Sequence, residues 1–167
     1  MVNVKAVERE TPESKSVLIW TDGASRGNGV SKEAIGAYGY YMNYKGYTKD
    51  FVEVETGVTN NSMELKAVIE ALKAMKRKDI PIIVYTDSAY VCNGLNYKWY
   101  RGWRNNNWHT KKGDEVKNKE EWISLVTLYE SFPFISIQKV KGHATNKNNI
   151  FVDEMLNSAM DDFTKGE

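Results

Sequence analysis

The sequence predicts an α/β domain built around one mixed β-sheet. Alternating or continuous apolar runs, typical of strands, are interrupted by segments with the three-to-four-residue apolar spacing of helices. The order along the chain is three strands, a helix, a strand, helices, a strand and a helix. Consecutive strands predict an antiparallel meander, and strands separated by helices predict parallel crossovers. With 167 residues, the chain forms most simply one domain.

The predicted strands are short segments rich in branched and aromatic side chains. The first is expected to stop at Asp22 and Gly23, a pair that is common in turns. The turn between the second and third strands falls at Lys45 and Gly46. The strand segments are 17–21, 36–44, 47–54, 80–85 and 135–140.

The helices are predicted from apolar spacing, which is clearest between Leu65 and Met75. The first fifteen residues are polar and have no apolar period, so residues 1–15 are expected to form a flexible tail. A glycine-rich loop is expected between the first two strands. The remaining helical segments are a short one from Ser88 onward, part of 98–108, 119–129 and 150–163.

Composition narrows the function classes. The net charge of +1 does not by itself indicate a nucleic-acid binder, but residues 98–119 carry seven basic side chains against two acidic ones, which suits a phosphate-binding surface. The single cysteine, Cys92, excludes an internal disulfide and is expected to be a buried, inert thiol. No segment has the apolar length of a membrane span, and the N-terminus lacks a signal-peptide core. We expect a soluble, cytoplasmic, monomeric protein.

Four acidic residues from distant parts of the chain fall where a strand or helix is expected to begin or end. They are Asp22, Glu64, Asp87 and Asp153. Carboxylates delivered from separate element ends can converge on one point of a fold. Converging oxygen ligands without soft partners suit Mg²⁺ or Mn²⁺. Two such ions would clamp the attacking and leaving oxygens of a phosphodiester displacement.

Each of these residues also has a structural explanation when taken alone. Asp22 suits a turn, Asp87 ends a strand just before Ser88, which can serve as a helix N-cap, and Asp153 lies in the first turn of a helix, where negative charge is favourable. Glu64 and Asn61 have the spacing of a capping box. The functional interpretation depends on the four together, because packed carboxylates repel each other unless a cation neutralises them.

Two further features have two open interpretations each. His143, in a Lys-Gly-His-Ala loop, is either a solvated loop histidine or a group that moves protons and assists product release. Trp99 and Trp103 are one helical turn apart. Tryptophans most often build core, but interleaved basic residues also make them suitable platforms for a nucleic-acid backbone.

Taken together and in this order, these segments resemble ribonuclease H of type 1 over about residues 17–159. The resemblance rests on six motifs that are specific in combination. They are Thr-Asp-Gly-Ala-Ser at 21–25, Thr-Asn-Asn-Ser-Met-Glu-Leu at 59–65, Tyr-Thr-Asp-Ser-Ala-Tyr-Val at 85–91, the tryptophan segment 99–108, Val-Lys-Asn-Lys at 116–119, and Lys-Gly-His-Ala at 141–144 followed by Val-Asp-Glu at 152–154.

The resemblance implies a five-stranded mixed sheet flanked by helices, with the catalytic domain at residues 16–164. It implies endonucleolytic hydrolysis of the RNA strand of RNA–DNA hybrids, with two Mg²⁺ ions, or Mn²⁺ as an alternative, and products with 5′-phosphate and 3′-hydroxyl ends. The carboxylates Asp22, Glu64, Asp87 and Asp153 would be catalytic and metal-binding. His143 would be the mobile histidine that helps the product leave.

The resemblance also implies contacts to the hybrid duplex. Gly57 stands where some members have a phosphate-binding arginine, and the asparagines at 105–107 replace a common lysine-rich run. The implied contacts are Asn28, Asn60 and Asn61 to the minor groove, Thr59 and Asn118 to a DNA-strand phosphate, and Trp99 and Trp103 to the DNA strand.

Two rival functions remain open. One is a non-catalytic hybrid-binding module, and the other is a related nuclease or strand-transfer domain acting on DNA.

Overall fold

The computed structural model describes residues 12–27, 34–140 and 146–166. Its five strands form one sheet in the order β3-β2-β1-β4-β5. The strands are β1 Val17–Arg26, β2 Ile35–Tyr44, β3 Tyr47–Thr56, β4 Ile82–Thr86 and β5 Ile135–Lys139. The helices are α1 Pro12–Lys15, α2 Asn60–Lys73, α3 Ala89–Asn96, α4 Trp99–Asn105, α5 Lys119–Glu130 and α6 Lys147–Lys165.

The sheet is mixed, as the element order predicts. β2 pairs antiparallel with both β1 and β3, whereas β4 pairs parallel with both β1 and β5. The parallel pairs are the ones whose strands are separated by helices, and the antiparallel pairs are joined without one. The predicted fold class, a five-stranded mixed sheet flanked by helices, is therefore confirmed.

Alternating side chains of β1 supply two hydrophobic layers, one on each side of the sheet. Ile19 packs in the larger cluster with Leu72 of α2 and Trp122 of α5, all buried. Trp20, the next residue, packs in a second cluster with Leu156 of α6. At roughly 25 cal/mol per Å² of buried apolar surface, these two layers provide the main force that holds the helices against the sheet.

Three predicted boundaries are wrong. β1 does not stop at Asp22 and Gly23 but continues to Arg26, because β2 pairs with it along that whole length. The capping box at the start of α2 is formed by Thr59 and Ser62, whose side chains and backbone amides bond reciprocally, and not by Asn61 and Glu64. α6 begins at residue 147, so Asp153 lies nearly two turns inside the helix rather than in its first turn.

The N-terminal segment is partly helical. Residues 12–15, assigned to the tail from the sequence, form the one-turn helix α1, and residues 1–11 lie outside the described residues. Within the part of the chain that the structure covers, none of the helices combines the length and apolar character that crossing a membrane requires.

Candidate active site

Asp22 occupies the centre of the sheet. It lies in the middle of β1, opposite Gly39 of β2, and only 4% of its surface is exposed. The preceding residue, Thr21, pairs with Thr86 at the end of β4. Asp22 therefore stands beside the point where the parallel neighbour strand ends, and a central strand holds its backbone rigidly.

Glu64 reaches the same point from helix α2 because Gly23 lets that helix approach the strand. A Cβ at Gly23 would lie 2.3 Å from the backbone nitrogen of Glu64 and 2.3 Å from the carbonyl carbon of Met63. The Gly23 N–H donates to Glu64 Oε1 and also to Asp22 Oδ1, the latter at 2.9 Å. Since the capping box uses Thr59 and Ser62, the Glu64 carboxylate is not used by its own helix end.

Asp87 directly follows β4 and is half-buried. Thr86, fully buried, donates its hydroxyl to Glu64 Oε2 at 3.4 Å and accepts from the Ser88 N–H at 3.0 Å. Ser88 is the N-cap of α3 and accepts from the Val91 N–H at 3.2 Å, as the sequence suggests. The cap of α3 is thus formed by Ser88, which leaves Asp87 facing the other carboxylates.

Three of the four acidic residues form a tight group. Asp22, Glu64 and Asp87 each present a carboxylate oxygen, and these oxygens lie within 4.8 Å of one another. Asp153 is outside this tight group but lines the same cavity, which has a volume of about 420 Å³. The four distant acids therefore converge on one cavity, and three of them form the tight group.

Asp153 is connected to β1 through the surface of α6. Its backbone carbonyl accepts from Asn157 Nδ2 at 3.0 Å. Arg26, the last residue of β1, donates to Asn157 Oδ1 at 3.1 Å and to Asp161 Oδ1 at 2.8 Å. The strand that carries Asp22 is thereby joined to the helix that carries Asp153.

The electrostatics of the group disfavour full ionisation of its carboxyls unless a cation is bound. Burial raises the pKa of Asp22 to about 7; a hydrogen bond from Glu64 acts in the opposite direction, and the charges of Asp87 and Asp153 raise it further. Burial and the neighbouring Asp22 raise the pKa of Glu64 well above its ordinary value. Buried carboxylates at this spacing cannot all be ionised without a compensating charge. An all-oxygen donor set of this kind fits Mg²⁺ or Mn²⁺ rather than zinc.

A second cavity, of about 490 Å³, adjoins the first. Asn60 and Asn61 line both cavities, so the two form one continuous surface. The Asn60 side chain is oriented by the Ser25 N–H, which donates to its Oδ1 at 2.6 Å. The second cavity is lined by Thr59, Asn60, Asn61, Lys117 and Asn118, which brings together the two groups of residues that the resemblance assigns to a phosphate and to the minor groove.

The tryptophans divide between core and surface. Trp122 is fully buried, and its ring centroid lies 5.4 Å from that of Trp103. Trp99 and Trp103 are half-buried, and both line a mainly apolar groove of about 390 Å³ that also includes His109 and Lys111. The tryptophan pair therefore packs on the core and also lines the groove, and its role as a platform for a nucleic-acid backbone stays a prediction.

Two predicted site residues, Asn28 and His143, lie outside the described residues. The two cavities are also lined by three residues that the sequence does not predict as site residues: Gly23, Tyr90 and Lys117. Gly23 has a signal in the sequence, since it follows Asp22, but its close packing under α2 is a tertiary effect. Lys117 and Tyr90 line the cavities beside Asn118 and Asp87 respectively.

Comparisons with known proteins agree with this geometry. The family model described as RNase H matches residues 14–161. A Ribonuclease H of Clostridium botulinum is 45% identical over 149 residues, covering 89% of this chain and 98% of that protein. A Ribonuclease H of Caldicellulosiruptor saccharolyticus is 41% identical over 144 residues, covering 86% and 95%.

Solved structures show the same similarity. The structure titled LC9-RNase H1, a type 1 RNase H with the type 2 active-site motif, superposes with a TM-score of 0.73 at 26% identity, over 87% of this chain and 72% of that one. The RNase H1 of the halophilic archaeon Halobacterium salinarum gives a TM-score of 0.64 at 25% identity, over 88% and 98%.

Proposed function

The chain belongs to the RNase H family, and from that membership and the carboxylate geometry we propose that it cleaves the RNA strand of RNA–DNA hybrids. The reaction is endonucleolytic hydrolysis by two divalent cations, Mg²⁺ or Mn²⁺, and leaves 5′-phosphate and 3′-hydroxyl ends. The protein acts as a monomer, and residues 16–164 form its catalytic domain.

The observation that carries this proposal is the convergence of Asp22, Glu64 and Asp87, with Asp153 lining the same cavity. A pure binding module has no use for concentrated negative charge beside phosphates, because that charge repels the ligand. A nuclease needs it to hold cations. The rival hypothesis of a non-catalytic hybrid-binding module is therefore disfavoured.

The four carboxylates would hold the cations in the proposed site. Asp22 would do so from the central strand of the sheet, Glu64 and Asp87 as its partners in the tight group, and Asp153 from α6 at the same cavity. When bound, the cations would activate the attacking water and stabilise the departing 3′ oxygen. The protein supplies fixed oxygen ligands, so that the scissile phosphate meets a preorganised site.

Strand choice follows from the surfaces around the cavity. The 2′-hydroxyl marks RNA at every nucleotide, and a wide minor groove exposes it to Asn60 and Asn61, with Asn28 as a further contact. Thr59, Lys117 and Asn118 bind a phosphate of the DNA strand, and Lys117 supplies a cation where Gly57 provides none. The apolar groove of Trp99 and Trp103 packs on DNA sugars, which disfavours an extra hydroxyl there. The minor-groove contacts and the tryptophan groove both favour a hybrid over duplex DNA, which argues against the rival hypothesis of a DNA nuclease. His143 assists product release.

One assay tests the proposal. Labelled RNA–DNA, RNA–RNA and DNA–DNA duplexes of one sequence are incubated with the protein, with Mg²⁺ and with EDTA. We expect internal cuts in the RNA of the hybrid alone, only with Mg²⁺, and new 5′ ends that ligate without added phosphate. Cleavage of the DNA duplex would support the nuclease or strand-transfer alternative, and binding without cleavage would support the binding module.

A further inference from the structure

Asn118 stands at the N-cap of α5 but does not cap it. Its backbone is left-handed, with φ 58° and ψ 35°, and its side chain makes no hydrogen bond to the helix end. Asparagine is one of the few residues other than glycine that adopt this conformation readily. An asparagine at an N-cap usually accepts a hydrogen bond from the helix end, so the missing bond leaves this side chain available to bond elsewhere.

The side chain of Asn118 bonds to Tyr90 instead. Its Nδ2 donates to the Tyr90 hydroxyl oxygen at 3.3 Å, across 28 residues of sequence. The same oxygen accepts from Trp122 Nε1 at 2.7 Å. Trp122 is fully buried, and it packs so closely on Gly94 that a Cβ there would lie 2.2 Å from the ring. The Tyr90 hydroxyl is therefore fixed from the core side and can fix Asn118 in turn.

The hydrogen bond between Tyr90 and Asn118 joins a residue of one polar cavity to a residue of the other. Tyr90, in the first turn of α3, lines the carboxylate cavity three residues after Asp87. Asn118 lines the adjoining cavity with Thr59 and Lys117. With one amide hydrogen directed to Tyr90, the second hydrogen on Asn118 Nδ2 remains for a ligand oxygen. Hydrogen bonds therefore connect Tyr90 at the carboxylate cavity with the Asn118 amide in the second cavity, and buried Trp122 holds the Tyr90 hydroxyl in place.

We propose that the Tyr90 hydroxyl is a positioning residue that holds the Asn118 amide toward a phosphate of the DNA strand. The inference rests on the proposed function and adds to it a group that need not touch the substrate. Without the hydroxyl, the Asn118 side chain rotates freely, and the phosphate must order it on binding. The cost falls on hybrid affinity and leaves the chemical step unchanged.

The test is a double-mutant cycle of Tyr90→Phe and Asn118→Ala, measuring KM and kcat on the hybrid. Phenylalanine keeps the ring and its packing. We expect Tyr90→Phe to raise KM about three- to tenfold, the effect of one polar contact, with kcat within about twofold. Because the hydroxyl acts through Asn118, the double variant should match Asn118→Ala alone. An unchanged KM in Tyr90→Phe, or fully additive effects, would overturn the inference.

Two controls distinguish a positioning role of the Tyr90 hydroxyl from a general defect of the variant protein. Tyr38→Phe makes the same change at another hydrogen-bonded hydroxyl, which donates to Glu55 away from both cavities, and should leave KM unchanged. A series of hybrids, each with one neutral methylphosphonate in the DNA strand, locates the phosphate. On the hybrid that lacks it, Tyr90→Phe should lose no further affinity, whereas a global defect would persist on every hybrid.

The possible failures are distinguishable. If the wild-type protein cleaves hybrids and Tyr90→Phe matches it, this inference is wrong and the proposed function stands. If the wild-type protein neither binds nor cleaves hybrids, both are wrong.

Discussion

The backbone N–H of Gly23 donates to a carboxylate oxygen of Glu64, joining the central strand to helix α2. The same N–H reaches Asp22 Oδ1 at 2.9 Å, so one backbone group orients both its neighbour Asp22 and Glu64, which lies 41 residues further along the chain. The contact exists because Gly23 has no side chain to keep the helix away. Backbone packing, more than side-chain chemistry, brings these two carboxylates together.

Replacing Gly23 should therefore disrupt the site. In Gly23→Ala the new Cβ would lie 2.3 Å from α2 backbone atoms, which cannot move like a flexible side chain. We expect a loss of about 1–3 kcal/mol in the free energy of unfolding, typical of overpacking, measured by urea denaturation. Cleavage should fall more steeply than stability, because Glu64 moves with the helix.

The matched control is Gly166→Ala, at the end of α6, where a Cβ makes only ordinary contacts at 3.6 Å. It should leave stability and cleavage near wild type. A Gly23→Ala protein with wild-type activity would show that the close approach of strand and helix does not position Glu64.

The raised pKa of Asp22 predicts how stability depends on pH without metal. The unfolded chain releases this proton near pH 4, whereas the folded protein keeps it to about pH 7. The folded state therefore binds more protons across this window, and its stability falls as pH rises from about 4 to about 7. Thermal unfolding in EDTA should show a falling Tm over this range.

Two changes should flatten that decline. Asp22→Asn removes the buried charge and should raise Tm in EDTA at about pH 8 by roughly 3 °C or more, corresponding to about 1 kcal/mol. Mg²⁺ should raise the wild-type Tm more at about pH 8 than at about pH 5, since it binds the ionised carboxylates. A wild-type Tm in EDTA that rises steadily toward pH 8 would contradict the predicted sign.

Much of the fold could be predicted because its signals are local. The apolar run before Thr86 and the spacing after Leu65 each depend on neighbouring residues alone. The end of β1 could not be predicted, because the strand continues past Asp22 only where β2 pairs with it. Strand pairing is a tertiary property, and the Asp-Gly signal for a turn is overridden by it.

The site divides in the same way. Asp22, Glu64, Asp87 and Asp153 stand out in the sequence by type and position, and their joint placement follows from the fold. The bond between Asn118 and Tyr90 has no sequence signal, since it joins loop and helix residues that only packing brings together. The sequence does not decide which residue caps α2, because Thr59 and Asn61 are both good N-cap residues. In the structure Thr59 has the extended backbone of an N-cap and forms the capping box.

Substitutions in the tryptophan groove should weaken hybrid binding more than they slow the chemical step. Trp103→Ala removes an aromatic wall of the groove, and stacking of this kind is worth about 1–3 kcal/mol. We expect KM for the hybrid to rise at least about fivefold, with kcat at saturating substrate within about threefold. Trp103→Phe keeps an aromatic face and should recover most of the affinity. A fall in kcat alone would contradict the assignment of this groove to the DNA strand.

Replacing Arg26 should raise the Mg²⁺ concentration that cleavage requires. Arg26→Gln breaks the connection between β1 and α6 that runs through Asn157 and Asp161. Both partners are exposed, so stability should change by less than about 1 kcal/mol. We expect the Mg²⁺ concentration for half-maximal cleavage to rise about threefold or more, because Asp153 is less well fixed. The maximal rate should be largely recovered at high Mg²⁺.

The control for Arg26 is Arg77→Gln, which breaks another exposed arginine–carboxylate pair, with Asp79; neither residue lines the two polar cavities. Its Mg²⁺ dependence should match that of the wild type. Equal shifts in both variants would mean that loss of any surface ion pair accounts for the effect.

The proposed catalytic centre is best examined by hybrid cleavage with single carboxylate variants at saturating Mg²⁺, with hybrid affinity measured in parallel. Asp22→Asn and Asp87→Asn keep the shape of the side chain and remove its charge. The convergence of the carboxylates predicts a loss of about a thousandfold or more in cleavage rate, with affinity within about threefold. Asp50→Asn, the same change at an exposed position of β3, should behave as wild type. Near-normal cleavage by Asp22→Asn or Asp87→Asn would contradict a catalytic centre built from these converging acids.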